Sequence, residues 1–145
     1  MVDVSDKAEI FREATASGMI SLKPETISLI NSGKIAKGDP LYTARIAGIL
    51  AAKQTSSLIP LCHPLPLTNV QVDVNVVGEG TVEVAATVKA KAQTGVEMEA
   101  LTAVSAALLT VWDMTKQYEK DEAGQYPSTA IENIHVVRKF KQQVK

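Results

Sequence analysis

The sequence predicts an α+β fold: an antiparallel sheet with helices packed on one face. Two observations carry this. The segments around Val70–Val76 and Val82–Val88 alternate valine or alanine with mostly polar residues, so each reads as a strand with one buried face. The whole chain then runs strand, helices, two strands, long helix, strand, which is the order of an α+β sandwich of ferredoxin-like type. A third observation concerns the core. Only six residues are aromatic (Trp 1, Tyr 3, Phe 2), so small and β-branched side chains must fill it, and elements can approach closely.

In chain order, residues 3–15 are polar and mixed, and Gly18–Leu22 reads as a short strand. Pro24 suits the first position of a helix that continues from Thr26 to Asn31 and stops at Gly33. Lys37-Gly38-Asp39-Pro40 is a turn. A second helix is expected from about Leu41 to Lys53, with Ile46, Ile49, Leu50 and Lys53 at helical spacing. From Leu58 to Leu67, Pro60, Pro64 and Pro66 exclude helix and central strand, so a stiff extended loop is expected. Gly78-Glu79-Gly80 joins the two valine-rich strands as a hairpin. A long helix is expected from about Val96 to Lys120, opening after Thr94-Gly95. Gly124–Ser128 is loop, and Ile131–Lys139 is a last strand. The length suits a single domain, 1–145.

Composition removes several functional classes. A net charge of −1 argues against a non-specific nucleic-acid binder. No apolar run approaches the roughly 20 residues of a membrane span, and the N-terminus lacks a signal core. One cysteine, Cys62, cannot form an internal disulfide, which fits a reducing cytoplasm. Cys62, His63 and His135 cannot supply a four-ligand zinc site. No metal or resident cofactor is expected, though magnesium could ride on a substrate phosphate.

Several polar residues could carry chemistry. His63 lies in the proline-stiffened loop, where an imidazole would be held in place as acid, base or phosphate donor, or would simply cap a carbonyl. Cys62 alone is more often a small buried hydrophobe. Glu97 and Glu99 flank Met98 at the start of the long helix, where acids ordinarily complement the helix dipole. Asp113 and Lys116 are spaced for an ion pair. Glu99, Asp113 and Lys116 fall within an arc of about 100°, yet Glu99 and Asp113 stand roughly 21 Å apart along the axis. Either they serve separate sites, or two subunits meet and each supplies one end. Lys37, beside Gly38, and Arg12 complete the set. From the residues alone, the reading stops at an oligomeric α+β domain with a His/Lys/carboxylate pocket.

In one order the chain carries Val2-Asp3-Val4-Ser5, Arg12-Glu13-Ala14, Lys37-Gly38-Asp39, Ala44-Arg45-Ile46-Ala47-Gly48, Leu58–Leu65, Thr94-Gly95-Val96-Glu97-Met98-Glu99-Ala100-Leu101-Thr102, and Asp113-Met114 with Lys116. Together these resemble the MoaC family of molybdenum-cofactor biosynthesis, over nearly the whole chain. The resemblance implies a lyase, cyclic pyranopterin monophosphate synthase. Its reaction converts 3′,8-cyclo-7,8-dihydroguanosine 5′-triphosphate to cyclic pyranopterin monophosphate and pyrophosphate. It also implies a homohexamer, a trimer of dimers, with sites at subunit interfaces. Matching positions imply Lys116, Asp113 and Lys37 as catalytic. They imply Arg12, Leu61, Cys62, His63, Glu97, Met98, Glu99 and Lys139 as substrate-binding. Lys139 is followed here by Phe140-Lys141-Gln142-Gln143 rather than a glycine-rich tail, and Asp121–Ala130 is a longer stretch than the family's pattern. The competing reading is a non-catalytic nucleotide-binding module of the same fold.

Overall fold

A computed structural model describes residues 1–143. Its elements are β1 (Ile10–Ser21), α1 (Pro24–Asn31), α2 (Pro40–Lys53), a short α3 (Thr55–Leu58), β2 (Leu67–Val77), β3 (Thr81–Ala92), α4 (Glu97–Glu119) and β4 (Ala130–Lys141). The strands form one antiparallel sheet in the order β2-β3-β1-β4. With α2 and α4 packed against it, this is the ferredoxin-like α+β sandwich the sequence predicts.

The core lies between the sheet and α4. Ala14, Ala16 and Ile20 of β1 face the helix layer beside Val82, Val84, Ala86 and Val88 of β3. Ala100, Ala103, Val104, Ala107, Leu108 and Val111 of α4 close over them. At Gly18 a Cβ would sit 2.9 Å from Ile134 Cγ1 and 3.0 Å from Leu108 Cδ1, so this crossing admits only a hydrogen. Ile134 reaches that point through an irregularity in the β1–β4 pairing near Ser17, where Asn133 takes the left-handed conformation at φ 58°.

Three expectations need correction. The first strand starts at Ile10, not Gly18, because its inward positions Ala14, Ala16 and Gly18 are too small to register as an apolar alternation. In α2 the buried stripe is Ala44, Gly48 and Ala52, whereas Ile46 and Leu50 are exposed. Small residues win there because α2 rides close on α4: a Cβ at Gly48 would lie 3.0 Å from the Ala103 carbonyl oxygen. The proline-rich segment is irregular only from Ile59 to Pro66, since Leu58 closes α3 and Leu67 opens β2. The long helix opens after Thr94-Gly95 as expected, with Val96 at the cap position and no side-chain hydrogen bond there.

Helix starts elsewhere follow the sequence. Asp39 accepts from the backbone N–H groups of Leu41 and Tyr42 at 3.0 and 3.3 Å, with Pro40 next. At α1 the donor Lys23 N–H is met by the carboxylate of Glu119, which is fully buried and also accepts from the Thr26 and Thr129 hydroxyls. Those bonds tie α1, the end of α4 and the approach to β4 together. Among the described residues, no helix is long and apolar enough to cross a membrane.

Candidate active site

Three of the predicted residues meet near the C-terminal half of α4. The Lys37 ammonium donates to Asp113 Oδ2 and to the Asp113 carbonyl oxygen, each at 3.0 Å. Lys116 Nζ lies 2.9 Å from Asp113 Oδ1, one helical turn on. One carboxylate therefore bridges two ammonium groups, all roughly half exposed. Hydrogen bonds from Lys116 and then Lys37 hold the Asp113 carboxyl below its usual range. In return the Asp113 hydrogen bond and charge push the Lys116 ammonium above its usual value. Lys37 reaches this point from a turn closed by Gly38 N–H to Ile35 C=O, with Gly38 at φ +111°.

A second cluster forms where β1, β4 and the start of α4 converge. Lys139 Nζ sits 2.8 Å from Glu97 Oε1. Arg12 donates through Nε to the Ala92 carbonyl and through Nη2 to the Gln93 carbonyl, both at 3.1 Å. Those two carbonyls aim the guanidinium at the same cleft, which Gly95, Glu97 and Lys139 also line. Burial pushes the Glu97 carboxyl up. The Lys139 hydrogen bond, the residue's own backbone N–H and the Lys139 and Arg12 charges outweigh that and leave it lowered. The Glu97 carboxylate folds back over position 95, into space that a side chain would take, which accounts for Gly95.

The proline-stiffened segment supplies the third group. His63 Nε2 lies 2.8 Å from the Val2 carbonyl oxygen. A carbonyl only accepts, so Nε2 carries the proton and Nδ1 of a neutral ring is left as an acceptor. Cys62 Sγ lies 4.0 Å from Glu99 Oε1. Glu99 is 3% exposed, and burial, then the charge of Glu97, raises its carboxyl against an opposing backbone hydrogen bond. Burial and then the Glu99 charge raise the Cys62 thiol as well. Leu61, Cys62, His63, Glu97 and Met98 line one cleft of about 490 Å³, closed on another side by Val2, Val4 and Lys7.

The predicted residues thus fall into two regions of α4. Arg12, Leu61, Cys62, His63, Glu97, Met98, Glu99 and Lys139 gather at its start, while Lys37, Asp113 and Lys116 gather near its end. Sequence reasoning passed over Lys7, Thr94, Tyr118 and Tyr126. Lys7 and Thr94 line the cleft. Tyr118 accepts from the Ala36 N–H at 2.8 Å, and Tyr126 packs on Trp112 with ring centroids 5.1 Å apart, beside Lys116. In a chain with so few aromatic residues, three of them within one stretch around Asp113 and Lys116 were the available signal.

Comparison with known proteins adds an independent line. A family model described as MoaC family matches residues 1–141. A protein of Pyrococcus horikoshii is 58% identical over 141 residues, covering 97% of this chain and 88% of its own length. One of Pyrococcus furiosus is 58% identical over 143 residues, covering 99% and 91%. One of Sulfolobus acidocaldarius is 55% identical over 141 residues, covering 97% and 98%. Each bears the name "Probable cyclic pyranopterin monophosphate synthase".

Proposed function

The chain belongs to the MoaC family, and from that premise we propose that it is a cyclic pyranopterin monophosphate synthase. It acts as a phosphorus–oxygen lyase in the cytoplasm, converting 3′,8-cyclo-7,8-dihydroguanosine 5′-triphosphate to cyclic pyranopterin monophosphate and pyrophosphate. The observation that carries this reading is the Lys37–Asp113–Lys116 array, together with a cationic cleft of Arg12 and Lys139 at the other end of the same helix.

The chemistry makes three demands that these groups suit. Rebuilding the ring system as a pterin needs proton transfers. A hydroxyl must attack the α-phosphorus. The bond to pyrophosphate must break, and the leaving group's charge must be held. Lys116, kept as an ammonium by Asp113, enters as a proton donor to the ring system. Lys37, bound to the same carboxylate, is a second acid–base group or phosphate clamp. Arg12, His63 and Lys139 bind the triphosphate. Glu97 and Glu99 accept from the amino and ring N–H groups of the guanine-derived edge, with Leu61, Cys62 and Met98 forming the wall. Magnesium, if used, would ride on the phosphates.

Glu99 and Asp113 are 14 residues apart on one helix, roughly 21 Å along its axis. One chain cannot bring both ends to the same reacting atom, and the site is read as completed by a neighbouring protomer, in the homohexamer, a trimer of dimers, that the family resemblance implies. Supplying the cyclised triphosphate and quantifying pyrophosphate and pterin tests the activity; binding without either product would favour a non-catalytic module. Lys116→Ala and Lys37→Ala should keep the fold and lose most turnover, and near-normal rates in both would refute their roles. Mixing inactive Lys116→Ala and Arg12→Ala protomers under exchange should restore partial activity. No recovery, despite demonstrated exchange, would place each site within one chain.

A further inference from the structure

Lys37 reaches Asp113 from an exposed turn, and a long side chain on a loose turn would not hold one position. Three features fix this turn. Ile35 is buried in the core at 6% exposure, the Gly38 N–H closes on the Ile35 carbonyl, and the Tyr118 hydroxyl accepts the Ala36 N–H at 2.8 Å. The Tyr118 ring packs against the core cluster, so its two rotatable bonds are set and its oxygen is a fixed point. Tyr118 follows Asp113 by five residues, about 7.5 Å along α4. The same helix therefore grips the turn at its backbone through Tyr118 and at the tip of the lysine through Asp113.

We propose, building on the assignment of Lys37 to the reaction, that Tyr118 is a positioning residue that sets where the Lys37 ammonium stands relative to Asp113 and Lys116. It touches no reacting atom. Its hydroxyl holds the backbone one residue before Lys37, and loss of that bond lets the turn drift while the core anchor Ile35 stays. Because the Ala36 N–H is exposed, water can replace the phenol oxygen, and the fold is little affected. Misplacement of a reacting group by a fraction of an ångström to one ångström is enough to cost much of a rate.

The test is Tyr118→Phe in the full chain, assayed with the cyclised triphosphate. The expected result is a kcat about tenfold lower with KM within about twofold of the parent and an unchanged thermal midpoint. Acetylation of lysines without substrate, read by mass spectrometry, should show Lys37 modified severalfold faster relative to Lys34. Unchanged kcat overturns the proposal, as does a lower kcat with Lys37 labelling unaltered. Failure of the underlying reading looks different: Lys37→Ala then turns over normally, and the role of Tyr118 falls with it.

Discussion

Lys139, at the end of β4, places its ammonium 2.8 Å from Glu97 Oε1 at the start of α4. Two elements distant in sequence thus bring a cation and an acid to the mouth of the Arg12 cleft. Replacing Lys139 with Gln should raise the Glu97 carboxyl from its lowered position, because burial then acts with less opposition. Carboxyl-carbon NMR would follow the titration. KM for the triphosphate substrate should rise about tenfold, or about 1.4 kcal/mol, as one phosphate-facing charge is lost. An unmoved Glu97 titration would mean the pair does not persist in solution.

Asp113 raises the Lys116 pKa chiefly through its hydrogen bond and secondarily through its charge. Replacing the carboxylate as Asp113→Asn removes the charge and leaves a weaker, neutral amide acceptor, so the Lys116 pKa should fall. If Lys116 works as a proton donor, the alkaline limb of the pH–rate profile follows that pKa and should move to lower pH in the variant. The maximal rate should also drop, since Lys37 loses its anionic partner and keeps only neutral acceptors such as the main-chain carbonyl of residue 113. A limb that stays in place would remove Lys116 from the donor role.

Legibility in the sequence followed side-chain size. Strands β2 and β3 were readable because valine alternates with polar residues, and α4 because its length leaves few alternatives. The part of β1 before Gly18 is hidden because its buried positions are Ala14 and Ala16, which carry little hydrophobic signal. The α2 stripe was misread for the same reason: Ala44, Gly48 and Ala52 face α4, and the larger Ile46 and Leu50 stand outside. Within the candidate site, the Asp113–Lys116 pair follows from helical spacing. The Lys139–Glu97 and Lys37–Asp113 pairs depend on strand order and on a turn, which no local pattern specifies.

At Gly18, β1 packs directly against side chains of both β4 and α4. A Cβ there would meet Ile134, Leu108 and Val104 at 2.9, 3.0 and 3.1 Å. Gly18→Val should lower stability by about 1–3 kcal/mol through overpacking, measured by urea unfolding. Trimming the opposing side chain with Ile134→Ala should recover part of that loss. An additive double variant would show that the strain lies elsewhere.

Glu99 is a carboxylate 3% exposed whose near neighbour is a thiol 4.0 Å away rather than a cation. Burial, then the Glu97 charge, raises its pKa, so the folded chain binds this proton more tightly than the unfolded chain does. The sign follows: stability from this group is fully present below the ordinary carboxylate pKa and is lost as pH rises through the raised folded value. Glu99→Gln keeps the shape and removes the charge. The variant should be more stable at neutral pH, by on the order of 1 kcal/mol, and its stability should depend less on pH in the mildly acidic range. If the carboxylate instead serves to accept substrate N–H groups, the same variant should bind the nucleotide more weakly. Gain of stability with loss of affinity is the expected pair of results. Thermal melts across pH, with calorimetric titration of the substrate, would check both, and a destabilised variant would show that the buried charge is held by contacts stronger than the distant thiol.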